Sequence, residues 1–333
     1  MSADSKIKEA QKHIADAEKA LKTSFISLKF KPDLDSAADE YKSAAKCYKV
    51  ARKYRECKDT YLKACELYEN LKGYFHAAQC LDEVVLCCKD LGAKDFEEIP
   101  NHAERATKLY IQHGYHETAA LNLSKAAEMV KQDLPEKSAE MLLRAGEVVS
   151  VQTDGEQIAA QYISRAVRIL VSLKRFKEAA ESMIKQFGLQ QEVGDSAALG
   201  RGVLGLVLIY LALEDVVAAN KAYQEWGGHC DNDTARTALQ LLRAFDEEDE
   251  DECKEALKNP YLRNMDVEFA RLTRDIKIPT GIQAPPSKAD PPPASDEGTF
   301  GDAAAAGSSQ PVAAAGSSPP VAEVQEDADD DLK

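Results

Sequence analysis

The sequence predicts an all-α chain built from antiparallel helical hairpins laid side by side, and three observations predict it. An aromatic residue opens a similar phrase at Tyr54 (YRECKDTY), Tyr74 (YFHAAQCL), Tyr115 (YHETAALNL) and Phe176 (FKEAAESM), at offsets of 20, 41 and 61 residues. Strand signals are almost absent: no sustained period-two alternation runs along the chain, and the one Asp154-Gly155 pair sits inside helical sequence. Pro100, Pro135, Pro260 and Pro279 fall where helices should start or stop, as expected of a residue that fits helix interiors poorly.

The spacing gives each element its length. Tyr48, Tyr68, Tyr110 and Leu170 lie five or six residues before the aromatics, and Gly73 and Gly114 supply turns, so twenty residues make one helix and its turn. Two such units make a hairpin of about forty residues, resembling a lengthened tetratricopeptide unit. The pairs Ala37/Ala38, Ala44/Ala45, Ala77/Ala78, Ala119/Ala120, Ala126/Ala127, Ala159/Ala160 and Ala179/Ala180 let helices approach closely while the aromatics fill the gaps. After about Gly188 the pattern changes to a very apolar helix over 199–226, then amphipathic helices over about 234–257 and 261–276, which read as a closing bundle. From Gly281 the chain is Pro, Ala, Gly and Ser with scattered acids, a composition that buries too little surface to offset ordering entropy. The expected domains are a hairpin array over 1–188 with an apolar loop at 23–31, a helical bundle over 189–280, and a flexible acidic tail over 281–333.

Charge narrows the partners. The formal net charge is −15; residues 281–333 hold two Lys against ten acids and account for −8, leaving −7 on the body. Such a surface repels phosphate backbones and argues against nucleic acid. Residues 1–31 depart from it, with seven Lys against four acids, a local +3 suited to anionic lipid or an acidic partner. The first thirty residues alternate charged and apolar positions and show no secretory signal, so a cytosolic location is expected. The eight Cys sit at helical core positions and read as small buried hydrophobes. Val203–Leu213 is the most apolar run, but its eleven residues fall short of the ~20 needed to cross a bilayer.

No catalytic site emerges. Gly200, Gly202 and Gly205 spell G-x-G-x-x-G, but helical sequence on both sides assigns them to close helix packing rather than to a dinucleotide. His113 and His116 flank the Gly114 turn without a third ligand of matching spacing, and Cys87 and Cys88 point to opposite sides of a helix. No Walker A sequence and no Gly-x-Ser-x-Gly elbow is present. Neither an enzyme nor a cofactor or metal is expected.

Three features stand above background. Thr23–Phe30 (TSFISLKF) carries Phe25, Ile26, Leu28 and Phe30 among Lys22, Lys29 and Lys31, which suggests weak, reversible membrane touch, with folding back onto the first hairpin as the alternative. Asp246, Glu247, Glu248, Asp249, Glu250, Asp251 and Glu252 form seven consecutive acids between two helices, either a solvated loop or a surface for a basic partner. At the chain end, Asp329, Asp330 and Asp331 precede Leu332.

The loop TSFISLKF, the ladder DSAADEYKSAAKCYKVARKY from Asp35, the phrase GYHETAALNLSKAAEM from Gly114 and the segment NPYLRNMDVEFARLTRDIKI from Asn259 resemble the soluble NSF attachment proteins, and most closely their gamma branch, over roughly residues 5–278. The resemblance implies a twisted, right-handed array of helical hairpins closed by a C-terminal bundle. It also implies a cytosolic adaptor, peripheral on membranes, that brings the hexameric ATPase NSF to assembled SNARE complexes of the syntaxin type for their disassembly in vesicle fusion and membrane traffic. Phe25, Ile26 and Phe30, with Leu28 and Lys29, match the family's membrane-attachment loop. The acids Asp246 to Glu252 match the end that meets NSF, and Leu332 matches the family's penultimate leucine. Lys125 and Arg165 lie in the pattern of the SNARE-binding face, whereas Leu121 stands where the alpha form has a lysine. The residues alone leave open a second reading, a peptide-docking scaffold with no ATPase partner.

Overall fold

The computed structural model describes residues 2–22 and 31–279, which fall within one unit, Met1–Ile282. Every regular element among the described residues is helical. The order is α1 (Ala3–Leu21), α2 (Leu34–Val50), α3 (Tyr54–Asn70), α4 (Tyr74–Leu91), a single turn α5 (Ala93–Phe96), α6 (Ile99–Gln112), α7 (His116–Val130), α8 (Pro135–Val149), α9 (Glu156–Ser172) and α10 (Phe176–Val193). There follow α11 (Ser196–Ala212), α12 (Val216–Trp226), a 3₁₀ turn (Gly227–His229), α13 (Asn232–Asp246), α14 (Glu250–Leu257), α15 (Pro260–Arg263) and α16 (Val267–Asp275). Each long helix packs chiefly on its neighbours in sequence, so the hairpins lie edge to edge, and α16 returns to rest on α9 and α11.

One turn chemistry recurs at several of the junctions between these helices. The amide five residues beyond a late helical position bonds back to its carbonyl: Lys53 to Tyr48 (2.9 Å), Gly73 to Tyr68 (2.8 Å), Tyr115 to Tyr110 (2.9 Å), Arg175 to Leu170 (2.9 Å) and Asp215 to Tyr210 (3.0 Å). The residue before each of those amides is left-handed: Arg52, Lys72, Gly114, Lys174 and Glu214, with φ between 57° and 87°. This is the C-terminal motif that satisfies the last carbonyls of a helix while reversing the chain. It places Tyr48, Tyr68, Tyr110 and Leu170 at one structural position, which is why they recur at fixed spacing.

The core follows from the same repeat. All seven alanine pairs are buried, as are Tyr41, Tyr61, Tyr68 and Tyr110. Alanines on facing helices bring the backbones together, and each large ring fills a gap worth about 1.5–3 kcal/mol of burial. The cysteines are free; Cys230 is half-buried and the other seven are buried.

The C-terminal half differs from expectation in its breaks. The helix expected over 199–226 is two helices, because Glu214 turns left-handed and the Asp215 carboxylate caps α12 by accepting from the Ala218 amide at 2.8 Å. The helix expected over 234–257 divides into α13 and α14, with Glu248 left-handed (φ 52°) and Asp249 capping α14. The helix expected over 261–276 is interrupted after Arg263 by an Asn264–Asp266 bend and resumes at Val267. The Asp154-Gly155 pair, expected within helical sequence, makes the α8–α9 turn, with Asp154 at φ 62°.

Candidate functional site

Polar ties between helices two apart define two faces of the array. On one face, Lys42 and Lys49 of α2 reach Gln79 (3.3 Å) and Glu83 of α4, and Asn122 of α7 donates to Asp82 of α4 at 2.8 Å. Arg165 of α9 then donates to Glu128 of α7 at 3.0 Å, and Arg168 pairs with Asp266 at the start of α16 at 3.5 Å. On the opposite face, Lys58 of α3 holds Asp95 (2.7 Å) and Glu98 (2.6 Å), Arg105 of α6 holds Glu69 of α3 (2.6 Å), and Arg144 of α8 approaches Glu104 of α6 (3.8 Å).

The first face carries a row of basic side chains. Lys42, Lys46, Lys49, Lys125, Arg165 and Arg168 all lie there at half-buried or exposed positions on α2, α7 and α9. Lys125 is exposed and makes no ion pair with a described residue, so its charge is available to a partner. The two positions that resemblance had singled out, Lys125 and Arg165, therefore sit on adjacent same-face helices. Lys42, Lys46 and Arg168 share this face, a grouping with no local sequence signal because it depends on how distant helices pack. Leu121 is also exposed, at the same helix α7.

A groove on this face is walled by Lys42, Lys46, Phe75, Tyr115 and Asn122, with Asp82 and Tyr110 at its base. Burial pushes the Asp82 carboxyl up to about 6, against the opposing pull of the Tyr110 hydroxyl at 2.6 Å, the Asn122 amide and the Lys125 charge. Further along, a cleft of about 410 Å³ opens between α9, α10, α11 and the α15–α16 segment, bordered by Gln186, Gln190, Arg201, Tyr261 and Asp266.

The seven acids are all exposed, and they form a helix junction rather than a simple loop. Asp246 ends α13, and Glu247 pairs with Arg243 at 3.0 Å. The Asp249 carboxylate accepts from the amides of Asp251 (3.0 Å) and Glu252 (2.9 Å), and Glu250 pairs with Lys254 at 2.6 Å. Three acids in the first turn of α14 complement its amide end, which explains how the run is tolerated. Phe25, Ile26, Leu28, Lys29, Phe30 and Leu332 lie outside the described residues.

The glycine triplet packs as expected. A Cβ at Gly200 would come within 2.2 Å of the His229 carbonyl oxygen, one at Gly202 within 2.5 Å of the Phe187 ring, and one at Gly205 within 3.0 Å of Phe269. His113 and His116 flank the α6–α7 turn, and the His113 ring lies 5.1 Å from that of Tyr115, tilted by 46°. Among the described residues, two groups bring three ligand-type atoms within 4.8 Å of one another: Glu9, His13 and Cys47, and Cys88, Glu98 and His102. No helix of the described residues is long and apolar enough to cross a membrane.

A stack of hairpins tied along two faces, with a row of basic side chains on one and acids at the α13–α14 junction, defines a helical-repeat scaffold of the adaptor class. The sequence model of the soluble NSF attachment proteins matches residues 8–260, and the chain belongs to that family, whose members are adaptors and not enzymes. The gamma-soluble NSF attachment protein of Dictyostelium discoideum is 24% identical over 81% of this chain and 83% of its own length. That of Arabidopsis thaliana is 23% identical over 81% of this chain and 91% of its own length. Among solved structures, BtubC from P. vanneervenii is 16% identical, covering 74% of this chain and 94% of its own, with a TM-score of 0.31.

Proposed function

We propose that this chain lays its basic face along an assembled SNARE bundle and presents the α13–α14 acids to NSF, so that the ATPase disassembles the bundle. Family membership supports NSF attachment. The observation that carries the SNARE side is the row Lys42, Lys46, Lys125, Arg165 and Arg168 on one face of a body that is acidic overall. An acidic bundle meeting that row gains attraction and register, while its approach to other surfaces is opposed. In this reading residues 1–188 grip the bundle, 189–280 meet NSF, and the Phe25/Ile26/Leu28/Lys29/Phe30 loop touches the membrane from the cytoplasmic side. Leu332 acts on the ATPase from the tail.

The test is retention. NSF should be held on immobilised SNARE bundles when this protein is present and washed away when it is absent. Equal NSF retention with and without it rejects the adaptor reading. Binding of SNARE bundles with no NSF recruited at all would leave a docking scaffold as the function.

A further inference from the structure

We propose that Glu9, His13 and Cys47 form a binding site for a zinc-type divalent metal ion, which clips the first helix to the second. Glu9 and His13 stand four residues apart on α1, hence on one face of it, and Cys47 meets them from α2. A carboxylate oxygen, an imidazole nitrogen and the Cys47 sulfur already lie within 4.8 Å of one another. Around a tetrahedral zinc such atoms sit about 3.5 Å apart, given metal–ligand bonds of roughly 2.0–2.3 Å. Turning the Glu9 side chain, which is 42% exposed, closes the difference, and its exposure also leaves the fourth position open to water.

The surroundings match those of a metal ligand. His13 Nδ1 lies 2.6 Å from a Glu40 oxygen, and a ring proton held there leaves Nε2 as the lone-pair nitrogen. A carboxylate behind the histidine is the usual second partner of a zinc-bound imidazole. Charge balances as well. Glu9, Glu40 and a Cys47 thiolate supply three negative charges, Lys6 at 2.7 Å from Glu9 supplies one positive, and a dication completes neutrality. On binding, the Cys47 thiol gives its proton to solvent and its sulfur bonds the metal. The second cluster lacks this balance, because Lys58 and Arg55 together offset Asp95 and Glu98 and leave a Cys88 thiolate alone against a dication.

The clip has a structural purpose. Among the described residues of α1 only Ala10 and Ala17 are fully buried, so the helix is held by two methyl groups and a fringe of partly covered side chains. A metal bridging α1 and α2 would secure the end of the array that has least burial of its own.

The experiment titrates Co²⁺ into the chelator-treated full chain and follows the thiolate-to-cobalt charge-transfer absorption. One equivalent should bind, Zn²⁺ should displace it, and Cys47→Ser should abolish the band while Cys88→Ser retains it. Glu40→Gln should weaken binding about 10–100-fold, the usual effect of losing an outer partner. Zn²⁺ should raise the Tm of the wild type and leave that of His13→Ala unchanged, which serves as the test if Cys47→Ser fails to fold by circular dichroism. Absence of a charge-transfer band in the wild type, or a band that survives Cys47→Ser, overturns the site.

Discussion

The Tyr110 hydroxyl donates to the Asp82 carboxylate at 2.6 Å, across the α4–α6 contact and at the base of the basic groove. Its counterpart one layer earlier joins the Tyr68 hydroxyl to Asp39 at 2.5 Å. The same Tyr–Asp bond thus recurs along the array, but burial raises the acid of the second pair to about 6.

This sets a pH dependence. A carboxyl raised in the folded state binds its proton more tightly there than in the unfolded chain. Its contribution is full below the unfolded value of about 4 and is lost as pH rises through about 6. Urea midpoints should fall over that window more in the wild type than in Asp82→Asn; parallel slopes would mean that Asp82 titrates normally.

Charge reversal on the basic face separates contact from folding. Lys125→Glu with Arg165→Glu should weaken SNARE-bundle binding by about tenfold or more, since close interfacial charges couple by ~1.5 kcal/mol or above. Far-UV circular dichroism should not change, and the loss should shrink at high salt. Wild-type affinity in the double variant would move the binding face elsewhere.

The acidic junction holds two kinds of acid. Asp249→Ala removes the cap of α14 and should cost about 1 kcal/mol of stability. Glu247→Gln with Asp251→Asn and Glu252→Gln spares that cap, so it should weaken NSF recruitment without a comparable fall in stability. Undiminished recruitment in the triple variant would return the run to a solvated helix junction.

Gly200→Ala places a methyl against the His229 carbonyl, and backbone cannot step aside as a flexible side chain can. We expect destabilisation of about 1–3 kcal/mol by urea denaturation. A neutral result would show that the 3₁₀ turn shifts freely.

Phe25→Ser with Ile26→Ser should lower binding to liposomes containing anionic lipid while leaving the Tm unchanged. Unaltered liposome binding would remove the loop from membrane contact.

The repeat was legible because two physical demands fall on every helix: alanine where backbones meet and an aromatic where they part. The breaks in the C-terminal half were not. Glu214 and Glu248 carry left-handed backbone without being glycine, so the residues that end α11 and α13 look like ordinary helix formers. The basic face shows the same limit. Lys125 and Arg165 were proposed from family resemblance, while grouping them with Lys42 and Arg168 needed the packing of helices forty or a hundred residues distant. The four-residue spacing of Glu9 and His13 carries no metal signal by itself, because their Cys47 neighbour belongs to another helix.

The two rows of polar ties give the ribbon its rails. Because next-but-one helices meet mainly through side-chain charges such as Arg105–Glu69 and Arg165–Glu128, curling toward either face must lengthen the pairs on the other. These pairs are partly exposed, so each contributes about 1 kcal/mol at most, and added salt weakens that resistance while the buried seams between neighbours keep theirs.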